Sequence, residues 1–255
     1  SRSAVSIRDA IMSIDLEVTD GVAWITMNRP ERKNAFTREQ YDALGATLDR
    51  VDGDDTVRVA VLTGAGAAFS SGQDLKEMAE MATAVAEGRS PGGTGGFTVL
   101  LDALERFEKP LIAAVNGVAV GIGMTLLPYC DLVLFARSAR MRVPFSELGV
   151  PPEAASSVMF ADLVGWQRAA ELLLTARWID ADEAVSIGLG LRVIDDERLR
   201  DEARALATDI ATKSAYSTRV IKQLMVAGRG TRTREARARE EALFAALFAR
   251  GGFGG

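Results

Sequence analysis

The sequence predicts an α/β fold that ends in a helical region, and three observations predict it. Two apolar runs, residues 57–63 and 111–115, read as buried strands, the first a β-branched run covered on both faces. Each is followed by a glycine-marked junction that leads into a helical pattern: Phe69-Ser-Ser-Gly-Gln-Asp-Leu75 and Asn116-Gly-Val-Ala-Val-Gly-Ile-Gly123. From Asp196 onward the pattern is helical and charged. Strands alternating with helices, then helices alone, give a core over residues 1–195 and a helical part over 196–255.

The other elements follow in order. Residues 14–18 and 22–28 read as strands joined in a hairpin at Thr19-Asp-Gly21. Asn28-Arg-Pro-Glu-Arg-Lys-Asn34 is a polar loop, and Thr37 with Gln40 forms a capping-box pattern that starts a helix reaching about Val51. Residues 76–87 and 97–107 are helical in pattern, separated by a flexible glycine-rich break at 88–96. The second junction opens a helix to about Tyr129. Strands are expected at 131–136, 139–143 and 191–194, and helices at 153–163, 166–175 and 180–187. The tail supplies helices at 204–211, 217–226 and 234–249, and Gly251-Gly-Phe-Gly-Gly255 reads as disordered.

Composition narrows the chemistry. The chain has 255 residues, of which 48% are hydrophobic, enough for a large core. Its net charge of −5 gives a nucleic-acid partner no electrostatic support. There is no histidine, which removes a Ser-His-Asp triad, a histidine base and the commonest transition-metal ligand together. Proton transfer falls to carboxylates, Lys, Tyr or water. The single cysteine, Cys130, fits a reducing, cytoplasmic setting and reads as a buried structural thiol rather than a nucleophile. Residues 1–13 do not show the pattern of a secretory leader. Residues 111–127 are apolar enough to imitate a membrane span. They contain Asn116, Gly117, Gly121, Gly123 and Thr125, so a buried strand, turn and helix explain them better.

The two junctions carry the chemical signal. A strand-to-helix turn leaves backbone N–H groups unpaired, with a helix dipole behind them. Two such turns facing one point make a hole for an oxyanion, the kind of site that a thioester enolate needs.

Five motifs extend this signal: Asn28-Arg-Pro-(x3)-Asn34-Ala35, the first junction, Pro110-Leu-Ile-Ala-Ala-Val-Asn-Gly117, Gly121-Ile-Gly123 with Cys130-Asp131, and Pro144-Phe-Ser-Glu-Leu-Gly149. In this order and spacing they resemble the crotonase (enoyl-CoA hydratase/isomerase) superfamily over roughly residues 14–230. The resemblance implies a spiral of ββα turns, a C-terminal helical region used for trimers or dimers of trimers, and an acyl-CoA thioester as ligand. No metal or redox cofactor is implied, since coenzyme A belongs to the substrate.

The resemblance also implies site residues. The thioester oxygen is held by the backbone N–H groups of Gln73 and Ile122. The 29–35 loop meets coenzyme A, with Arg32 or Lys33 near its phosphates, although exposed basic residues are ordinarily only solvated. Ala35, Ser71, Asp74, Leu75, Thr125 and Phe145 are the further expected substrate contacts. Asp74 reads more readily as the cap of the following helix than as a substrate contact, and a helical Thr such as Thr125 more often bonds its own backbone. Two glutamates position water in hydratases of this type, and their places hold Thr125 and Phe145. Pro144-Phe-Ser-Glu-Leu-Gly-Val-Pro-Pro-Glu-Ala-Ala-Ser-Ser157 instead resembles the peroxisomal-type Δ3,Δ2-enoyl-CoA isomerases, in which a glutamate at the Glu153 place shuttles a proton between C2 and C4.

Glu153 has a second reading, as an acid opening a helix after Pro151-Pro152, favoured there by the dipole alone. Glu147 is the other nearby carboxylate. The basic stretch from Arg229 to Arg239, interleaved with Glu235, Glu240 and Glu241, reads as a solvated helix with intrahelical pairs. The expected activity is 3-enoyl-CoA to 2-enoyl-CoA isomerisation. The alternatives are a hydratase or another crotonase-type reaction, and a catalytically silent acyl-CoA binder.

Overall fold

The computed structural model of the protein describes residues 7–11, 13–87 and 95–250. Most of the glycine-rich break at 88–96 and the final glycine-rich tail therefore lie outside the described residues. The framework is a succession of ββα turns. The first contains β1 (Ile7–Ile11), β2 (Ile14–Thr19), β3 (Val22–Met27) and α1 (Arg38–Gly53). The second contains β4 (Val59–Gly64), β5 (Ala68–Ser70) and α2 (Leu75–Ala86), followed by α3 (Gly95–Arg106). The third contains β6 (Leu111–Val115), β7 (Val118–Val120) and α4 (Ile122–Thr125), and the fourth β8 (Leu132–Ala136), β9 (Arg140–Arg142) and α5 (Phe145–Leu148). Then come α6 (Ser156–Val164), α7 (Trp166–Thr175), β10 (Ile179–Asp180), α8 (Ala181–Ser186), β11 (Arg192–Ile194), α9 (Leu199–Ala211) and α10 (Ala215–Ala249).

Each of the last three ββα turns gives one strand to each of two sheets. The large sheet runs β1-β2-β3-β4-β6-β8-β11, antiparallel at β1-β2-β3 and parallel from β3 onward. The small sheet runs β10-β9-β7-β5, with β5, β7 and β9 parallel. Residues 59–62 and 111–115 are buried without alternation, as a parallel strand covered on both faces requires. α9 lies against β3, β4, β6 and β8, and its Ala203 and Ala207 are buried there.

Several elements depart from the sequence-based expectation. The two junctions are not bare turns, because they contain β5 and β7; strands of three residues are too short to give a periodicity. The helix expected to reach Tyr129 stops at Thr125 and continues as a 3-10 turn over Leu127–Tyr129, because Pro128 cannot continue an α-helix. The pieces expected at 217–226 and 234–249 are one helix, α10, which passes through Gly228 and Gly230. Burial of Lys222, Thr233, Ala236, Arg237 and Glu240 on the core side outweighs the roughly 1 kcal/mol that each glycine costs a helix. β1 and α5 carried no readable signal. Among the described residues no helix is long and apolar enough to cross a membrane.

Two asparagines, Asn34 buried and Asn116 half-buried, fasten the turn between β4 and β5. Asn34 Nδ2 donates to the carbonyls of Ala65 (2.9 Å) and Ala68 (2.7 Å), while its Oδ1 accepts from the Arg29 N–H (2.9 Å). Asn116 Oδ1 accepts from the Gly64 N–H at 3.0 Å, and its Nδ2 donates to the Gly66 carbonyl at 2.9 Å. Gly64 has no room for a side chain, since a Cβ there would stand 2.2 Å from the Ala68 carbonyl oxygen. Asn34 also sits at φ 54°, where asparagine is better tolerated than alanine. Asn34→Ala is therefore expected to lower stability by roughly 2–4 kcal/mol, measured as a lower urea midpoint with an unchanged m-value.

Candidate active site

The two junctions meet at their glycines. Gly72 (φ 91°) and Gly121 (φ 53°) both occupy the left-handed region. A Cβ built on Gly72 would lie 2.8 Å from the Val120 carbonyl oxygen, and one on Gly121 would lie 4.0 Å from the Gly72 Cα. The approach leaves no room for a side chain at Gly72, while at Gly121 it is the positive φ that favours glycine. The residues immediately after them are Gln73 and Ile122.

The N–H groups of those two residues are free. Phe36 pairs in parallel with Gln73, and the bonds of that bridge are carried by its neighbours, Phe36 N–H to Gly72 (2.7 Å) and Asp74 N–H to Phe36 (2.8 Å). Parallel pairing turns the Gln73 N–H away from Phe36. At the second junction Met124 and Thr125 donate back to the Gly121 carbonyl, and Ile122, at the start of α4, has no acceptor four residues behind it. Among the described residues neither N–H donates a hydrogen bond. With a single turn of helix behind Ile122, the donors there count for more than a macrodipole.

The 29–35 loop is fixed to the first junction. Arg29 donates to the Asp74 carboxylate (2.9 Å) and the Ala35 carbonyl (3.1 Å). Asp74 Oδ1 accepts from the N–H of Lys76 at 3.0 Å, which caps α2. These bonds hold the Asp74 carboxyl below its ordinary value against the opposing effect of burial. Asp74 thus has structural partners on both oxygens. Ser71 donates its N–H to the Lys33 carbonyl (2.9 Å) and its hydroxyl to Arg32 (3.3 Å). Arg32 and Lys33 are exposed on the rim, Ala35 is buried beneath them, and Leu75 is exposed at the start of α2. Phe145 is buried at the start of α5, whereas Glu147 is half exposed and paired with Arg142.

Glu153 does not open a helix. α6 begins at Ser156, and Ala154 and Ala155 both take φ 55°, a conformation that costs alanine roughly 1–2 kcal/mol per residue. The carboxyl is buried. Its Oε1 accepts from the Thr125 hydroxyl at 2.6 Å, and its Oε2 has no partner. The helix-opening reading of this residue is therefore corrected: the carboxyl caps no N–H and stands outside the first turn of α6. Burial pushes it up to about 8, opposed by the Thr125 hydrogen bond and assisted by the charge of Glu240. Thr125 spends its hydroxyl on Glu153 rather than on its own backbone, and it stands one turn beyond Ile122.

Three contributors escaped the sequence reading. Tyr41, buried on α1, donates to Gln73 Oε1 at 2.9 Å, and Gln73 Nε2 donates to Glu77 at 2.9 Å, so the Gln73 side chain is clamped from both ends. The Tyr41 phenol is raised by burial first and then by the charges of Glu153 and Glu77. Glu240 holds the backbone that follows Glu153, and Arg29 fastens the loop. A tyrosine four residues into a helix and a glutamate in a charged tail carry no local mark of either task. Cys130 is buried, and burial pushes its thiol up to about 12, in keeping with a structural role.

The sequence model for enoyl-CoA hydratase/isomerase matches residues 17–252. The chain belongs to that family. It is 38% identical over 206 residues to the 1,2-epoxyphenylacetyl-CoA isomerase of Escherichia coli K12, covering 81% of this chain and 79% of that one. It is 35% identical to the short-chain-enoyl-CoA hydratase of Clostridium acetobutylicum, covering 85% and 82%. It is 38% identical to enoyl-CoA delta isomerase 2 of Rattus norvegicus, covering 80% of this chain and 52% of the longer rat protein. The crystal structure of an enoyl-CoA hydratase/isomerase from Pseudoalteromonas atlantica T6c superposes with a TM-score of 0.86 at 36% identity, covering 93% and 92%. The fold is thus the crotonase fold, and the relatives span more than one reaction.

Within this family member the buried Glu153 carboxyl leaves a thermodynamic signature. Between its ordinary value of 4.5 and its folded value of about 8, the unfolded chain releases this proton while the folded chain keeps it. The unfolded state then binds fewer protons, so this group's contribution to stability falls as pH rises through that window and levels above it. Glu153→Gln should remove that slope, and its melting temperature should gain on the unsubstituted protein steadily between about pH 5 and pH 8. Parallel melting curves across that range would contradict the assignment.

Proposed function

We propose that this chain is an acyl-CoA isomerase that converts a 3-enoyl-CoA into the conjugated 2-enoyl-CoA. The observation that carries this reading is a single buried carboxyl, Glu153, with one oxygen held by Thr125 and the other unpartnered. Thr125 lies one turn beyond Ile122, whose backbone N–H, like that of Gln73, lacks an acceptor among the described residues. The Glu153 Oε2 takes a proton from C2 of the acyl chain. Negative charge spreads to the thioester oxygen, where the N–H groups of Gln73 and Ile122 stabilise it; one such donor contributes about 3–4 kcal/mol. The same carboxyl returns the proton at C4, so the double bond moves and no water enters.

The surroundings support this chemistry over water addition. Thr125 and Phe145 occupy the places where the resemblance implies hydratase glutamates, and Glu147 is engaged by Arg142. Ile122 and Phe145 are buried and apolar, which suits a carboxyl whose conjugate acid must survive at neutral pH. Arg32 and Lys33, exposed on the rim, are the proposed partners of the coenzyme A phosphates. The relatives named isomerases in Escherichia coli and rat favour the same reaction class. Exposed Ile221, Leu224 and Met225 share one face of α10 and offer an apolar surface for the proposed homotrimer or dimer of trimers.

The deciding experiment is Glu153→Gln, assayed for formation of the conjugated thioester from 3-enoyl-CoA. Activity should fall by at least ~100-fold, while affinity for a saturated acyl-CoA stays within about threefold. Turnover that survives the change would remove Glu153 from the mechanism. Loss of conjugated absorbance on adding 2-enoyl-CoA to the unsubstituted protein would favour a hydratase. For the unsubstituted enzyme, kcat/KM should rise about tenfold per pH unit below about 8 and level above it, because the base works only when ionised.

A further inference from the structure

Glu240 lies on α10, 85 positions from the turn it touches, and it is buried. Its Oε2 accepts from the Ala155 N–H at 2.7 Å. Its Oε1 accepts from the Ser157 N–H at 3.0 Å and from the Ser157 hydroxyl at 2.5 Å. All three partners donate, which matches an ionised carboxylate, an acceptor only. Burial raises the Glu240 carboxyl, and the bonds from Ser157 and Ala155 pull it back.

The turn held in this way is the one that carries Glu153. Ala154 and Ala155 have left-handed backbones that neither residue adopts by preference, so something outside the turn must maintain them. Glu240 supplies the bonds on one side. On the other, the Tyr129 hydroxyl donates to the Ala154 carbonyl at 3.0 Å. One helical turn earlier, the buried Arg237 binds Asp102 (2.7 Å) and Glu105 (3.2 Å) on α3, which seats this part of α10 against the core.

We infer that Glu240 is a positioning residue for the proposed isomerisation: from the C-terminal helix, its carboxylate fixes the strained turn that keeps Glu153 against Thr125. The inference rests on the reading of Glu153 as the proton shuttle. The titratable groups that bear on Glu153 are Tyr41 on α1, Tyr129 in the turn after α4, and Glu240 on α10. Burial keeps both phenols neutral, so among these the charge that acts is that of Glu240. Thr125, on α4, contributes a hydrogen bond and no charge.

The test compares the unsubstituted enzyme, Glu240→Gln and Glu153→Gln, each as the full chain with 3-enoyl-CoA across pH. In Glu240→Gln an amide nitrogen replaces one oxygen and faces an N–H donor, so the turn relaxes and the charge is lost. The expected result is a fall in kcat of about 10–100-fold with KM held within about threefold. The midpoint of the kcat/KM profile should move down by about half a pH unit or more. An unchanged kcat in a cooperatively folded variant would overturn the inference, leaving Glu240 as scaffolding. If Glu153→Gln is itself fully active, the failure lies with the reading of Glu153. Should Glu240→Gln not fold, Ser157→Ala removes one of the three bonds and keeps the charge. There kcat should fall with KM retained, and an unchanged kcat would overturn the positioning role.

Discussion

The close approach of two glycine turns is the constraint on which the site depends. Gly72 lies against the backbone of Val120 and Gly121, and nothing larger than hydrogen fits at that contact. The second and third ββα turns each place their short second strand beside the equivalent strand of the next turn, β5 beside β7 and β7 beside β9. The parallel pairing that builds the small sheet therefore also brings the following turns together. Two N–H groups in neighbouring turns share one region because their strands share one sheet. No side-chain chemistry is needed for that part of the site, which is why residues as different as Gln73 and Ile122 can occupy it.

The rest of the site works by withholding partners. Buried polar groups in a folded protein are almost always hydrogen-bonded, yet one oxygen of Glu153 and two backbone N–H groups are not. Such groups are costly for folding and useful for binding a molecule whose charge changes during reaction. Desolvation raises the Glu153 carboxyl, while the single bond from Thr125 sets its orientation without neutralising it. The surrounding framework is, by contrast, well satisfied. Asn34, Asn116, Arg29 and Asp74 each engage two or more backbone or charged partners, and together they tie the 29–35 loop, the β4–β5 turn and the first junction into one unit.

The C-terminal helix has a larger part than its charge pattern suggests. Arg237 and Glu240 lie three residues apart on α10 and reach in two directions, one to acids on α3 and the other to the backbone after Glu153. A stretch that alternates arginine with glutamate reads as a solvated surface. Arg239 and Glu235 do form such a surface pair at 4.0 Å. The buried residues Ala236, Arg237 and Glu240 follow helical spacing within the same stretch, so one face is packed and the other is wet.

The sequence by itself determined the α/β alternation, the hairpin of β2 and β3, the capping box of α1, the strand β6 and the positions of both glycine junctions. Those features are local: β-branched runs, Thr37 with Gln40, and glycines at required backbone angles act over a few residues. The resemblance added the oxyanion residues and Glu153. Tertiary structure alone decided that Glu153 stands free of any helix, that Thr125 holds its carboxyl while Glu240 and Tyr129 hold the turn after it, and that α10 runs unbroken through two glycines. These outcomes depend on burial and on partners up to 85 residues away. Desolvation and long-range hydrogen bonds arise only when the chain is packed, so they leave no mark on short stretches of sequence.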